Sequence, residues 1–185
     1  MEKAAYQLVK PVTVWFTGLP SSGKTTLAHR LEAQCKIWGI LPEMLDGDVV
    51  RTHLSKGLGF SKEDRNINIE RIGFVCHLLV KHGAMVIVSA ISPYREAREH
   101  NRRMIGNFVE IYVKTSGAEC ERRDVKGLYK KARRGEIRGM TGVDDPYEEP
   151  LNADVVCETE KEPPDSLVAK VVAKLEALGY LRRSA

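Results

Sequence analysis

The stretch Gly18-Leu-Pro-Ser-Ser-Gly-Lys-Thr25 holds residue types spaced for phosphate chemistry. Two glycines bracket four residues, and a lysine and a hydroxyl follow directly, which is the pattern G-x-x-x-x-G-K-[ST] of a P-loop. Gly18 and Gly23 give the backbone freedom to wrap an anion. Successive N–H groups, those of Ser21 and Ser22 among them, can face phosphate oxygens, together with the N-terminus of a helix that carries Lys24, Thr25 and Thr26. Lys24 reaches β- and γ-phosphates, and the Thr25 hydroxyl suits Mg²⁺. A Gly-rich turn matching by coincidence is the competing reading, and the flanking sequence disfavours it.

Such a loop needs a strand before it and a helix after it. Val12–Phe16 reads as a buried strand, and Leu27, Leu31, Cys35 and Trp38 recur at helical spacing up to a stop at Gly39. Further along, strand and helix signals alternate. Pro42–Leu45 is a short strand and Val49–Leu54 a short helix. Ser61 opens a long helix with Asp64 as its capping partner and a buried stripe of Ile69, Ile72, Cys76 and Leu79. Ala84–Ser89 is a continuous apolar run and so a central strand. Ser92-Pro93 reads as an N-cap with proline at the first helical position. Phe108–Val113 is a strand, Ser116 and Glu119 form a second capping box, Leu151–Thr159 contains a last strand, and a terminal helix starts at Asp165 or Ser166. Alternation of this kind implies an α/β fold, a parallel sheet covered by helices on both faces. At 185 residues, the whole of 1–185 is expected to form one domain.

Carboxylates and cations gather around the same sheet edge. Asp46-Gly-Asp48 follows the second strand, so a parallel sheet places it beside the P-loop mouth, where a carboxylate can hold metal-bound water or take a hydroxyl proton. Taken alone the same triplet is a tight turn. No Walker-B aspartate ends Val86–Ala90. Arg51, Phe60, Arg65, Asn68 and Arg71 follow. Arg65 and Asn68 are three apart and share a helix face, an arrangement suited to a second anion. Phe60 fits equally a ring tucked into the core or a platform for a ligand. Finally, 124–147 is rich in Lys126, Lys130, Lys131, Arg133, Arg134 and Arg138 and poor in large apolar residues. It is either a solvated surface helix or, beside a P-loop, a basic lid that neutralises charge and excludes water.

Composition narrows the class. The net charge of +4 suits an anionic small molecule and gives no basic stripe for nucleic acid. The chain lacks N-K-x-D, which disfavours a GTPase, and is small for a motor. Cys35, Cys76, Cys120 and Cys157 form no C-x-x-C and read as core thiols of a reducing compartment, hence a cytoplasmic protein. Neither a signal peptide nor a membrane span is indicated. Residues alone therefore imply a small Mg·ATP-dependent kinase with an anionic acceptor. A kinase for another nucleotide or a sugar, and a nucleotide-binding subunit without turnover, remain open at this point.

The sequence resembles the adenylyl-sulfate kinase (APS kinase) family over nearly its whole length. The resemblance is carried by Gly18–Thr26, Leu45-Asp-Gly-Asp48, Gly57-Leu-Gly-Phe-Ser-Lys-Glu-Asp-Arg65, Asn68-Ile-Glu-Arg-Ile-Gly73, Ile91-Ser-Pro-Tyr-Arg95, Arg123-Asp-Val-Lys-Gly-Leu-Tyr-Lys-Lys-Ala-Arg133 and Thr141-Gly-Val-Asp-Asp-Pro-Tyr-Glu148. It implies a P-loop kinase fold and transfer of the γ-phosphoryl of ATP to the 3′-hydroxyl of adenosine 5′-phosphosulfate (APS), giving PAPS and ADP. It further implies that Gly18, Ser21, Ser22, Gly23, Lys24, Thr25 and Thr26 bind ATP and Mg²⁺. Asp46 would be the base or orienter, with Asp48 near substrate or metal. Arg51, Arg65 and Asn68 would hold the phosphosulfate, and Phe60 would stack on adenine. Ile91 and Ser92 would line the substrate site, Ser92 as a binding and capping residue rather than a phospho-acceptor. Lys126 would belong to the lid and Arg123 would lie near the ATP base. The family commonly forms homodimers. Met140 stands where the family usually has the phenylalanine of an aromatic clamp, which implies a looser clamp that Met140→Phe would tighten.

Overall fold

The computed structural model describes residues 5–184. The elements run β1 (Tyr6–Leu8), β2 (Val12–Thr17), α1 (Lys24–Ile37), β3 (Glu43–Asp46), α2 (Gly47–His53), α3 (Lys62–Lys81), β4 (Met85–Ser89), α4 (Arg95–Ile105), β5 (Phe108–Lys114), α5 (Gly117–Arg123), α6 (Leu128–Arg133), β6 (Val155–Glu158), α7 (Pro164–Ala177) and β7 (Leu181–Arg183). Every residue of β2 is buried. A strand without a polar face needs cover on both sides. Val12, Val14 and Phe16 join one core with residues of α1 and α7, and Trp15 joins a second with residues of α3 and α4. The five-stranded sheet has the order β3-β4-β2-β5-β6, all neighbours parallel. This is the α/β architecture expected from the alternating pattern. All five strands end at one edge, which collects the P-loop after β2, Asp46 at the end of β3, Ser89–Ser92 after β4, Thr115 after β5 and Thr159 after β6.

The helices pack closely where side chains are small. A Cβ at Gly73 of α3 would lie 2.1 Å from Asn101 Oδ1 of α4, and Asn101 Nδ2 donates to the Ile69 carbonyl at 2.8 Å. Glycine therefore lets the two helices meet at this point. Cys35, Cys76, Cys120 and Cys157 are buried and unpaired, as core thiols should be. Among the described residues no helix is long and apolar enough to cross a membrane.

Several expectations need correction. The short antiparallel pair β1–β7 gives no local signal, because each strand is three residues long and pairs with the far end of the chain. The terminal helix begins at Pro164. Ser92 does not cap α4: that helix is preceded by Tyr94, with no side-chain cap, and Ser92 itself is left-handed at φ 47°. Ser116 caps α5 by accepting from Glu119 N–H at 3.2 Å, but Glu119 turns its carboxylate to Arg122 and Arg123 instead of closing the box. The basic segment is not purely solvated either. Tyr129 and Met140 form a small core with Cys120, supported by Leu19, Leu128, Ala132, Ile137 and Val143, so an apolar patch packs the segment against Leu19 of the P-loop.

Candidate active site

The P-loop is shaped by backbone that only certain residues tolerate. Gly18 has φ 154°, and a Cβ there would fall 2.6 Å from the Val113 carbonyl. Ser21 and Gly23 also take positive φ. Gly23 leads into α1 with no side-chain cap, so the first N–H groups of that helix are left for a ligand. Lys24 is 8% exposed. Its Nζ donates to the carbonyls of Gly18 at 3.0 Å and Leu19 at 2.7 Å. Burial lowers its pKa from 10.5 to about 8. Ser22 Oγ is buried without a partner, whereas the Ser22 carbonyl accepts from Thr115 Oγ1, Thr159 Oγ1 and Arg123 Nη1. Arg123 thus lies against the loop, but its donors are engaged by Ser22, Thr159 and Glu119. Thr25 and Thr26 are exposed at the start of α1.

The acidic pair divides its tasks. Asp46 Oδ2 accepts from Thr25 Oγ1 at 3.3 Å, and Ser89 Oγ is 3.1 Å from the same hydroxyl. The end of β4 therefore brings a serine where a Walker-B aspartate was missing. Asp46 Oδ1 accepts from Asp48 N–H at 3.0 Å and caps α2. The Asp48 carboxylate pairs with Lys126 of the basic segment. Of the two acids, Asp46 is the one against Thr25, while Asp48 bridges to the lid. Both partners of that bridge are well exposed, so it contributes about 0–1 kcal/mol and can open readily. The Thr25, Asp46 and Ser89 oxygens form a hard-donor set of the kind that suits Mg²⁺, an ion that retains several waters.

A second cluster stands beside this one. Arg51 donates to the Gly59 carbonyl at 2.8 Å and lies 4.4 Å from the Phe60 ring centroid. Its pKa is lowered, first by burial and then by Arg65. Arg65 lies 5.6 Å from the same centroid. Its guanidinium is buried and fully engaged. At 8% exposure it donates to Phe60 O, Thr141 Oγ1 and Gly139 O and pairs with Asp145 at 3.6 Å, joining α3 to the basic segment. Phe60 is 59% exposed, which rejects the core-filling alternative. Asn68 is buried on the same helix face with Oδ1 unpartnered, an acceptor still without a donor. Met140 is buried in the lid core rather than offering an open face as a clamp.

The loop after β4 closes the other side. The Ile91 carbonyl accepts from Thr17 Oγ1 at 2.7 Å and Gly18 N–H at 3.5 Å. Ser92 Oγ donates to Ala90 O at 3.0 Å and accepts from Trp15 Nε1 at 2.8 Å. With the residue 1% exposed, that hydroxyl is fully engaged in holding the loop. Sequence reasoning did not single out Trp15, Ser89, Arg98, Thr141 or Tyr147. Thr141 and Tyr147 lie in a stretch that carried the family resemblance, but nothing local marks their partners.

Comparison with known proteins agrees with this geometry. Residues 10–158 match the family model described as adenylylsulphate kinase. An adenylyl-sulfate kinase from Picosynechococcus sp. is 61% identical over 170 residues, covering 92% of this chain and 96% of the relative. One from Gloeothece citriformis is 59% identical over 171 residues, covering 92% and 97%. Among solved structures, the Mycobacterium tuberculosis APS kinase in complex with AMPPNP and APS superposes with a TM-score of 0.87 at 42% identity, covering 90% of this chain and 98% of that one. A P-loop with a neighbouring aromatic–arginine cluster, matched over this much of its length, places the chain in the adenylylsulphate kinase family.

Proposed function

We infer that the protein transfers the γ-phosphoryl of ATP to the 3′-hydroxyl of adenosine 5′-phosphosulfate, releasing PAPS and ADP. The observation that supports this is the juxtaposition of two cationic clusters. One is the P-loop with Lys24. The other is Arg51 and Arg65 around the exposed Phe60 ring, with Asn68 Oδ1 unpartnered beside them. A kinase for a neutral sugar has no use for the second cation pair.

The chemistry follows from charge and position. Lys24 and the α1 N-terminus take the β/γ-phosphate charge, and the lid cations add to it on closure. Thr25, with Asp46 beside it, would hold Mg²⁺, whose charge would neutralise phosphate oxygens. Asp46, oriented by bonds from Thr25 and Asp48 N–H, accepts the proton of the substrate hydroxyl as that oxygen bonds to γ-phosphorus and the bond to the ADP oxygen breaks. Phe60 and the arginines hold the nucleotide and its phosphosulfate, and lid closure excludes water. Arg123 braces the loop near the ATP base. No covalent enzyme intermediate is required, and the engaged Ser92 hydroxyl serves as scaffold. The resemblance further supports a cytoplasmic homodimer.

The test is ADP release with Mg·ATP, offering adenosine 5′-phosphosulfate or AMP as acceptor. Turnover with the sulfated nucleotide alone is expected. Equal turnover with AMP, or none with either, would remove the assignment.

A further inference from the structure

The guanidinium of Arg98, 3% exposed on α4, binds three separate parts of the molecule. Its Nε donates to Glu110 Oε1 on β5 at 2.8 Å. Nη1 donates to the Ser92 carbonyl at 2.5 Å, in the loop that also touches Thr17 and Gly18. Nη2 donates to the Glu148 carbonyl at 2.7 Å, where the chain returns from the lid. The guanidinium carbon also lies 5.7 Å from the Tyr147 ring centroid, and Tyr147 OH bonds to Thr17 Oγ1 at 2.9 Å. Glu148 N–H in turn donates to the Pro93 carbonyl at 2.8 Å. One planar cation therefore joins the lid's return segment to the loop beside the P-loop, next to Arg95, which donates to Glu148 Oε2 and Glu149 O, and a lysine has no fork with which to reach all three acceptors.

We propose that Arg98 is a positioning residue for phosphoryl transfer, anchoring residues 147–149 to loop 90–93 so that the lid closes from a fixed hinge onto the acceptor nucleotide. It touches no reacting atom, and its effect is exerted through Ser92, Pro93 and Glu148. The inference rests on the APS kinase reading, whose own failure would appear as absence of turnover in the unaltered enzyme.

The experiment compares Arg98→Lys with Glu110→Gln. Arg98→Lys retains the charge opposite Glu110 but gives up the fork. It is expected to raise KM for adenosine 5′-phosphosulfate about tenfold and to lower kcat, while the Kd for AMPPNP stays within twofold of the parent. Glu110→Gln weakens the buried ion pair but leaves both carbonyl bonds. It should lower Tm with KM for the acceptor unchanged. Equal KM values for Arg98→Lys and parent, or acceptor KM values that follow Tm in both variants, would overturn the proposal. If Arg98→Lys does not fold, hydrogen exchange of the unaltered enzyme decides. Joint protection of 90–93 and 147–149 on adding AMPPNP with the acceptor is expected, and protection of one segment without the other would refute the hinge.

Discussion

Nucleotide binding should be coupled to proton uptake at Lys24. In the ligand-free protein the ammonium is buried with two carbonyls as partners, and burial holds its pKa at about 8 instead of 10.5. Phosphate oxygens arriving at Nζ favour the charged form and raise that pKa again. The shift from 10.5 to about 8 corresponds to about 3 kcal/mol between the two protonation states. At pH 7 the lysine is already charged and binding takes up ~0.1 proton, whereas at pH 9 uptake rises to ~0.9 proton. Affinity should then fall about tenfold per pH unit above 8. The last ionisation of a phosphate lies near pH ~6, outside this window. Isothermal titration of AMPPNP in pairs of buffers with different ionisation enthalpies reads the uptake directly. Lys24→Arg, charged throughout, should abolish the dependence. Affinity that is flat from pH 7 to 9.5, or uptake equal at both ends, would refute the reasoning. The same shift sets the ligand-free stability. Between the folded and unfolded pKa values the unfolded chain binds more protons, so stability should rise with pH from about 8 to 10.5.

Other perturbations separate stability from function. Asn68→Ala removes a buried acceptor that has no partner, so Tm should change little while KM for adenosine 5′-phosphosulfate rises about tenfold, as expected for loss of a bond made only with substrate. Gly18→Ala places a methyl against the Val113 carbonyl at strained φ, and thermal melting should show a loss of about 2 kcal/mol or more together with lost ATP binding. Met140→Phe overpacks the Cys120–Tyr129 cluster, so melting should show about 1–3 kcal/mol of destabilisation. The tighter acceptor binding expected from sequence should not appear, and a lowered KM would show the ring leaving the cluster. Lys126→Met breaks an exposed pair, so the free energy of unfolding should change by less than about 1 kcal/mol while steady-state kcat falls through the lost lid cation.

The legible parts of the molecule were those encoded by near neighbours. The P-loop, the strand–helix alternation and the shared face of Arg65 and Asn68 depend on spacings of a few residues, and each is found where the spacing puts it. What escaped depends on partners far along the chain. Ser92-Pro93 looks like a helix start, but Trp15, 77 residues away, and Arg98 hold Ser92 in a left-handed turn, and the helix starts only at Arg95. The shared face marks Arg65, but its acceptor Thr141 lies 76 residues away and has no local signal. The lid core draws on Cys120, Tyr129 and Met140, which share no period that would mark an amphipathic helix.

The acidic pair shows how such distant contacts assign roles to residues that sequence leaves equivalent. Asp46 and Asp48 are two positions apart in one turn, and either could face the metal or the hydroxyl proton. The helix cap places the two acids differently. To accept from Asp48 N–H, Asp46 must turn its carboxylate over the start of α2, which carries its second oxygen to Thr25. The first turn of that helix then rotates Asp48 outward to meet Lys126, 78 residues on. One backbone hydrogen bond thus makes the first acid a residue of the P-loop edge and the second a contact of the lid. Asp46→Asn would keep the cap but remove the carboxylate proposed to take the proton, whereas Asp48→Asn would release Lys126, so the two variants should separate a loss in kcat from a change in closure.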